Sequence, residues 1–222
     1  MTIEQNIRNL QARIARACER AGRSPDEVTL VAVTKTLDAS AIEAAFNAGI
    51  KDFGESRVQE AKPKIEQLHL LRPRITWHMV GHLQTNKAKT AAAIFDIIHS
   101  VDSLKLAEIL NDCSQKKLPV LIQVNVSAEA TKGGFMLSEV TEAVSQIGKL
   151  GNLDIQGLMT LAPWADNAEE VRPVFRQLRQ LRDSLGLKHI SMGMSDDFEV
   201  AIEEGATLVR IGRAIFGERS GA

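Results

Sequence analysis

Short apolar, β-branched runs alternate with helix-period segments along nearly the whole chain, and this alternation is the tightest constraint on what it folds into. When a helix must intervene before the next strand begins, successive strands are joined by crossovers and pair in parallel. The expected strands are Thr29–Thr34, Asp52–Gly54, Thr76–Gly81, Ile97–His99, Val120–Val126, Ile155–Thr160, His189–Met192 and Thr207–Gly212. The expected helices that follow them are Ser40–Phe46, Arg57–Leu68, Thr85–Phe95, Leu104–Lys116, Ser138–Leu150, Ala168–Leu185, Phe198–Glu204 and the short Arg213–Phe216. Eight such units fit a closed α/β architecture, a (β/α)8 TIM barrel, better than an open doubly wound sheet. No G-x-G-x-x-G turn follows the first strand, which also argues against a dinucleotide fold. An extra helix near residues 2–21 precedes the barrel. Ile3, Ile7, Leu10, Ile14 and Ala17 mark its core face, and Arg8, Arg13, Arg16 and Arg20 a face expected to be solvated. No linker interrupts the pattern, so residues 1–222 are expected to form one domain.

Charge and cysteine usage narrow the function. Lys and Arg total 27 against 28 Asp and Glu, a net charge of −1, so nothing draws the chain toward nucleic acid or an anionic membrane. Cys18 and Cys113 share no metal spacing and make no disulfide framework, and read as reduced thiols. The N-terminus is polar and lacks the apolar core of a signal peptide. A cytoplasmic location is the expectation. No metal site is expected: His78 and His82 are four apart, but across a strand end rather than on a helix face.

In such barrels the chemistry sits at the C-terminal ends of the strands. Those ends carry Lys35, Ser56, His82, Met159, Met194 with Ser195, and Arg210 with Gly212. Lys35 directly follows an apolar strand. One-sided desolvation favours the neutral amine that an aldehyde needs to form a Schiff base; an ordinary solvated lysine is the alternative. The segments after strands seven and eight often bind phosphate. Ser195, Gly212 and the backbone at Arg213 suit that role, and equally a serine cap and a glycine turn. Arg210 shares inward parity with Gly212; buried, it needs a partner, either a ligand atom or a barrel carboxylate such as Glu55.

Several longer motifs resemble the YggS/PROSC family of pyridoxal 5′-phosphate (PLP) homeostasis proteins, whose barrel is similar to the N-terminal domain of alanine racemase. They include Leu30-Val31-Ala32-Val33-Thr34-Lys35-Thr36, Trp77-His78-Met79-Val80-Gly81-His82, Ser191-Met192-Gly193-Met194-Ser195-Asp196-Asp197-Phe198-Glu199 and Val209-Arg210-Ile211-Gly212. The resemblance spans nearly the whole chain. It implies PLP as cofactor, in a Schiff base on Lys35. Its phosphate would be held by Ser195, Gly212 and the Arg213 backbone, and its pyridine nitrogen would face Arg210. Ser56, His82, Met159 and Met194 complete the expected cofactor-binding set. The chain departs from the pattern at Thr34, where the family usually has serine, at Ser56, where asparagine is usual, and at Arg213, where a smaller residue is common.

Two function classes follow, a PLP carrier or regulator and a slow PLP-dependent racemase. A two-base racemase needs a proton donor opposite the lysine; in the resembled racemases this is a tyrosine from a second domain. The chain contains no tyrosine, and 222 residues leave no room for that domain beside the barrel. His82 is the remaining candidate for a second base. The expectation is a monomeric carrier without strong catalysis, with no catalytic residue of its own and with PLP-dependent apo-enzymes as possible recipients.

Overall fold

The computed structural model describes residues 2–217; Met1 and residues 218–222 of the expected 1–222 domain lie outside the described residues. The chain opens with α1 (Ile3–Arg20), capped by the Thr2 hydroxyl, and enters β1 (Thr29–Val33). It continues through α2 (Ala39–Asn47), β2 (Asp52–Glu55), α3 (Val58–Gln67), β3 (Thr76–Met79), α4 (Ala88–Ile94) and β4 (Ile97–Val101). Next come α5 (Leu104–Cys113), β5 (Leu118–Asn125), β6 (Phe135–Met136) and α6 (Val140–Ile147). The chain then runs through β7 (Leu153–Met159), α7 (Arg172–Ser184), β8 (His189–Ser191), α8 (Phe198–Glu203), β9 (Leu208–Ile211) and α9 (Arg213–Phe216). The two-residue β6 pairs with β5 in a separate small sheet. The other eight strands run in the order β4-β3-β2-β1-β9-β8-β7-β5, and a β4–β5 pairing closes the ring. Every pairing is parallel, so the structure is the closed barrel that the alternation demands.

Differences from the expected elements are local. The helices expected at Thr85, Ser138 and Ala168 begin as short 3-10 turns and become α-helical only at Ala88, Val140 and Arg172. β5 starts two residues early and takes in Pro119. The cap of α2 is Asp38, whose carboxylate accepts from the Ala41 N–H at 3.0 Å, rather than Ser40.

Two apolar layers result from strand alternation. Ala32, Phe53, Trp77, Ile98 and Ile122 face outward and pack under the helices. Val31, Val80, Ile97, Leu121, Met159 and Leu208 form a separate cluster. Register places them on the inner face: Val31 pairs with Arg210, and a Cβ on Gly54 would meet Val31 at 3.1 Å and Val80 at 3.3 Å.

The extra helix has a structural reason. α9 is one turn long and cannot cover the β9–β1 face of the barrel. α1 lies there instead, against α8, α9 and α2, burying Ile7, Leu10, Ile14, Ala17 and Cys18. Its basic face is not simply solvated. Arg13 stacks on Phe198 at 4.6 Å and pairs with Glu199 at 3.0 Å, and Arg20 pairs with Glu203 at 2.6 Å. The acidic side of α8 therefore receives the arginines, a pairing that no single helix pattern reveals.

Candidate functional site

A cavity of about 760 Å³ opens at the C-terminal end of the strands. Lys35, Ser56, Met194, Ser195, Arg210, Gly212 and Arg213 all line it, although they come from four different βα units. Met159 is placed differently. It is 1% exposed and packs among the inner-face residues below the mouth, so it supports the floor rather than lining the cavity. His82 also lies apart. It lines an adjacent cleft of about 640 Å³, with its side chain 69% exposed and its Nδ1 at 3.0 Å from Asp102. Ser56 and Gly81 border both spaces.

The half-buried Lys35 is held through its backbone neighbours. The Thr34 N–H donates to the Gly54 carbonyl at 2.9 Å, and the Thr34 hydroxyl donates to Glu55 at 2.6 Å. The Lys64 ammonium, from α3, donates to the Thr34 carbonyl at 2.8 Å and to Glu55 at 2.7 Å. On the other side Thr36 adopts φ 66°, uncommon for a non-glycine residue, while its N–H donates to Glu60 at 3.1 Å. The peptide carrying Lys35 is thus clamped from both directions.

This arrangement corrects the expectation that Glu55 could answer Arg210. Glu55 is one residue out of phase with the inward-facing Gly54 and Ser56, so it points away from the barrel axis toward α3. Burial pushes its carboxyl upward, against the opposing hydrogen bonds from Lys64 and Thr34.

Arg210 reaches the mouth from β9 at 4% exposure. It donates to the Ser191 hydroxyl at 2.5 Å and to the Thr160 carbonyl at 2.8 Å. Burial pulls its guanidinium down to about 10, with the Asp197 carboxylate acting against that fall, so it stays cationic at neutral pH. Asp197 is itself buried, which pushes its carboxyl upward, and it accepts from the Met194 N–H at 2.6 Å.

The remaining wall is built for close backbone approach. Gly193 has φ 90°, and a Cβ there would stand 2.6 Å from the Ala201 Cβ, so only glycine fits. A Cβ on Gly212 would lie 3.2 Å from the Val33 carbonyl oxygen. The Ser195 hydroxyl accepts from the Ala214 N–H at 3.4 Å, and Arg213 pairs with Asp196.

The sequence reading missed part of the lining. Glu129 and Lys132, paired at 2.6 Å, enter from the segment after β5. Leu161, Ala162, Pro163 and the 84% exposed Trp164 enter from the segment after β7. The signal was the length of both connections, since long βα loops at this face are where sites are elaborated.

Comparison with known proteins fits this geometry. The family model for the alanine racemase N-terminal domain matches residues 5–220. The pyridoxal phosphate homeostasis protein of Aquifex aeolicus is 45% identical, over 97% of each chain. PipY of Synechococcus elongatus, solved with PLP bound, is 35% identical and superposes with a TM-score of 0.85 over 97% of this chain and 100% of that one. Alanine racemase from Corynebacterium glutamicum shares the fold at 18% identity, with a TM-score of 0.69 over 99% of this chain and 62% of its own. On this combination of motif, barrel and full-length similarity, the chain belongs to the pyridoxal phosphate homeostasis family, built on the alanine racemase N-terminal barrel.

Proposed function

We propose that the mouth binds PLP and that the chain serves intracellular PLP homeostasis, buffering or delivering the cofactor and so supporting amino-acid and keto-acid balance. The observation that carries this reading is one cavity that presents a lysine amine, a buried arginine with neutral oxygen partners, and a glycine-lined wall with a serine hydroxyl. These groups fit the parts of PLP. Lys35 would hold the aldehyde carbon covalently. Ser195 and the backbone at Gly212 and Arg213 would hold the phosphate, with the free N–H groups of a helix start favouring the anion. Arg210 would face the ring nitrogen, and its positive charge there disfavours a proton on that nitrogen. Ser56 and Met194 would border the ring. When bound, PLP supplies an aldehyde open to exchange between amines and a ring that withdraws electrons.

Weak catalysis follows from the same residues. Arg210 would leave the ring a poorer electron sink, a feature shared with the resembled racemases, so the second base carries more weight. The two candidates for a second proton donor are not in place: the chain has no tyrosine, and His82 lines the neighbouring cleft. Among the described residues no helix is long and apolar enough to cross a membrane. We place the protein in the cytoplasm as a single-domain monomer that passes PLP to apo-enzymes.

The test is the visible absorption spectrum of the purified protein after PLP addition, for the parent and for Lys35→Ala. A band that is present in the parent, lost in the variant and locked onto Lys35 by borohydride supports the reading. Failure of the parent to take up PLP sinks it.

A further inference from the structure

Four inward-facing polar residues join Arg210 to the opposite end of the barrel. The Ser191 hydroxyl, which accepts from Arg210, lies 2.9 Å from His99 Nδ1. His99 Nε2 lies 2.9 Å from His78 Nδ1, and His78 Nε2 lies 3.1 Å from a carboxylate oxygen of Asp52. Asp52 is the first residue of β2, at the N-terminal end of the strands, with its side chain 28% exposed. Ser191 and His99 are fully buried, and His78 is 3% exposed.

The donor-only and acceptor-only ends favour one direction for the protons in this chain. A guanidinium only donates and an ionised carboxylate only accepts. Ser191 accepts from Arg210 and has one hydrogen of its own, which in the relay is donated to His99 Nδ1. Burial holds His99 well below the usual imidazole range, which favours the neutral ring; accepting from Ser191 on Nδ1, it carries its one proton on Nε2. That proton is donated to His78 Nδ1. His78 then carries its proton on Nε2 and donates it to Asp52. A proton on Nδ1 of His78 would face the Nε2–H of His99 and break the link. A fixed cation at one end and an anion at the other polarise the same way each bond between them.

We infer that Ser191, His99, His78 and Asp52 are positioning residues, forming a one-directional relay that fixes the Arg210 guanidinium at the ring-nitrogen end of the cofactor site and couples it to the carboxylate at the far end of the barrel. The coupling to cofactor rests on the PLP reading; the relay itself does not. Its consequence is that a charge change remote from the mouth alters the electronic state of bound PLP. A structural core pair would not do this.

The experiment has an arm for each part. Long-range 15N–1H spectra of the PLP-free protein at neutral pH report the imidazole tautomers. Both His78 and His99 are expected as neutral Nε2–H forms, and an Nδ1–H form at either overturns the relay. The second arm compares PLP absorption and affinity in Asp52→Asn, Ser191→Ala and the double variant. Asp52→Asn keeps the shape of a partly exposed residue, so it guards against misfolding of the buried variant. Ser191→Ala is expected to shift the band and weaken PLP about tenfold, the scale of one charge-assisted hydrogen bond. Asp52→Asn should move both in the same direction by about threefold, and the double variant should resemble Ser191→Ala alone. An unshifted Asp52→Asn band, or effects that simply add, overturns the coupling. If the parent takes up no PLP, the functional reading fails while the tautomers still judge the relay.

Discussion

The two sides of the barrel mouth are held by different forces. On the β1–β2 side, the lysine-bearing peptide is fixed by a buried ion pair: Glu55 is 0% and Lys64 11% exposed, and both hold Thr34. On the β5–β7 side, order comes from neutral hydrogen bonds by which the end of β5 holds the segment that follows it. Asn125 donates to the Glu129 and Lys132 carbonyls at 2.8 and 3.1 Å, and beside it Trp164 stands in solvent. A buried charge pair tolerates little displacement, because each partner is costly alone. Neutral hydrogen bonds at a strand end cost less to rearrange. The first side is therefore suited to fixing the anchor, and the second to governing access.

That contrast can be broken most sharply at Lys64. Lys64→Ala strands Glu55 in the core, and unfolding in urea should show a loss of about 3 kcal/mol, a cost typical of breaking a buried pair. The variant should also bind PLP more weakly, because Thr34 loses its clamp. Retained stability would mean that the anchoring side is no firmer than the other.

The next effect lies in the floor beneath both sides. His99 has a folded-state value well below its ordinary 6.5, because burial disfavours its charged form. The unfolded chain then binds the extra proton below about pH 6.5. Stability is full above that pH and falls as the solution is acidified toward the folded value, by at most about 1.4 kcal/mol per pH unit for one group. Denaturation midpoints at pH 7.5 and 5.5 measure the slope, and His99→Gln should flatten it. Carboxyls raised by burial at Glu55 and Asp197 act with the opposite sign, but their window opens upward from the ordinary carboxylate range.

The smallest effect is expected at the open side. Trp164→Ala should change stability by less than about 0.5 kcal/mol, as an exposed substitution normally does. The rate of PLP loss in a dilution assay should rise instead. A large stability loss would show that this loop is packed as firmly as its counterpart.

Much of this was legible without coordinates. The alternation of short apolar runs and helical periods specified a closed barrel, and strand-end positions placed Lys35, Ser195, Arg210 and Gly212 near one another. Parity along a strand is a local property, so it survives folding unchanged. His82 and Met159 stand outside the lining of the mouth, because nearness to a strand end does not say which way a side chain leaves it. His82 turns toward Asp102, and Met159 sits one layer too deep. The pairing of Glu55 with Lys64, and of the α1 arginines with α8, depends on how helices lean against the barrel.

The sequence by itself determined the order of elements, the alternation of facing along the first strand, and the position of the lysine at its end, because these follow from periodicity within single segments. Tertiary structure alone decided which polar groups meet. Asp52, His78, His99, Ser191 and Arg210 come from five different strands and touch only because the sheet closes with a particular stagger.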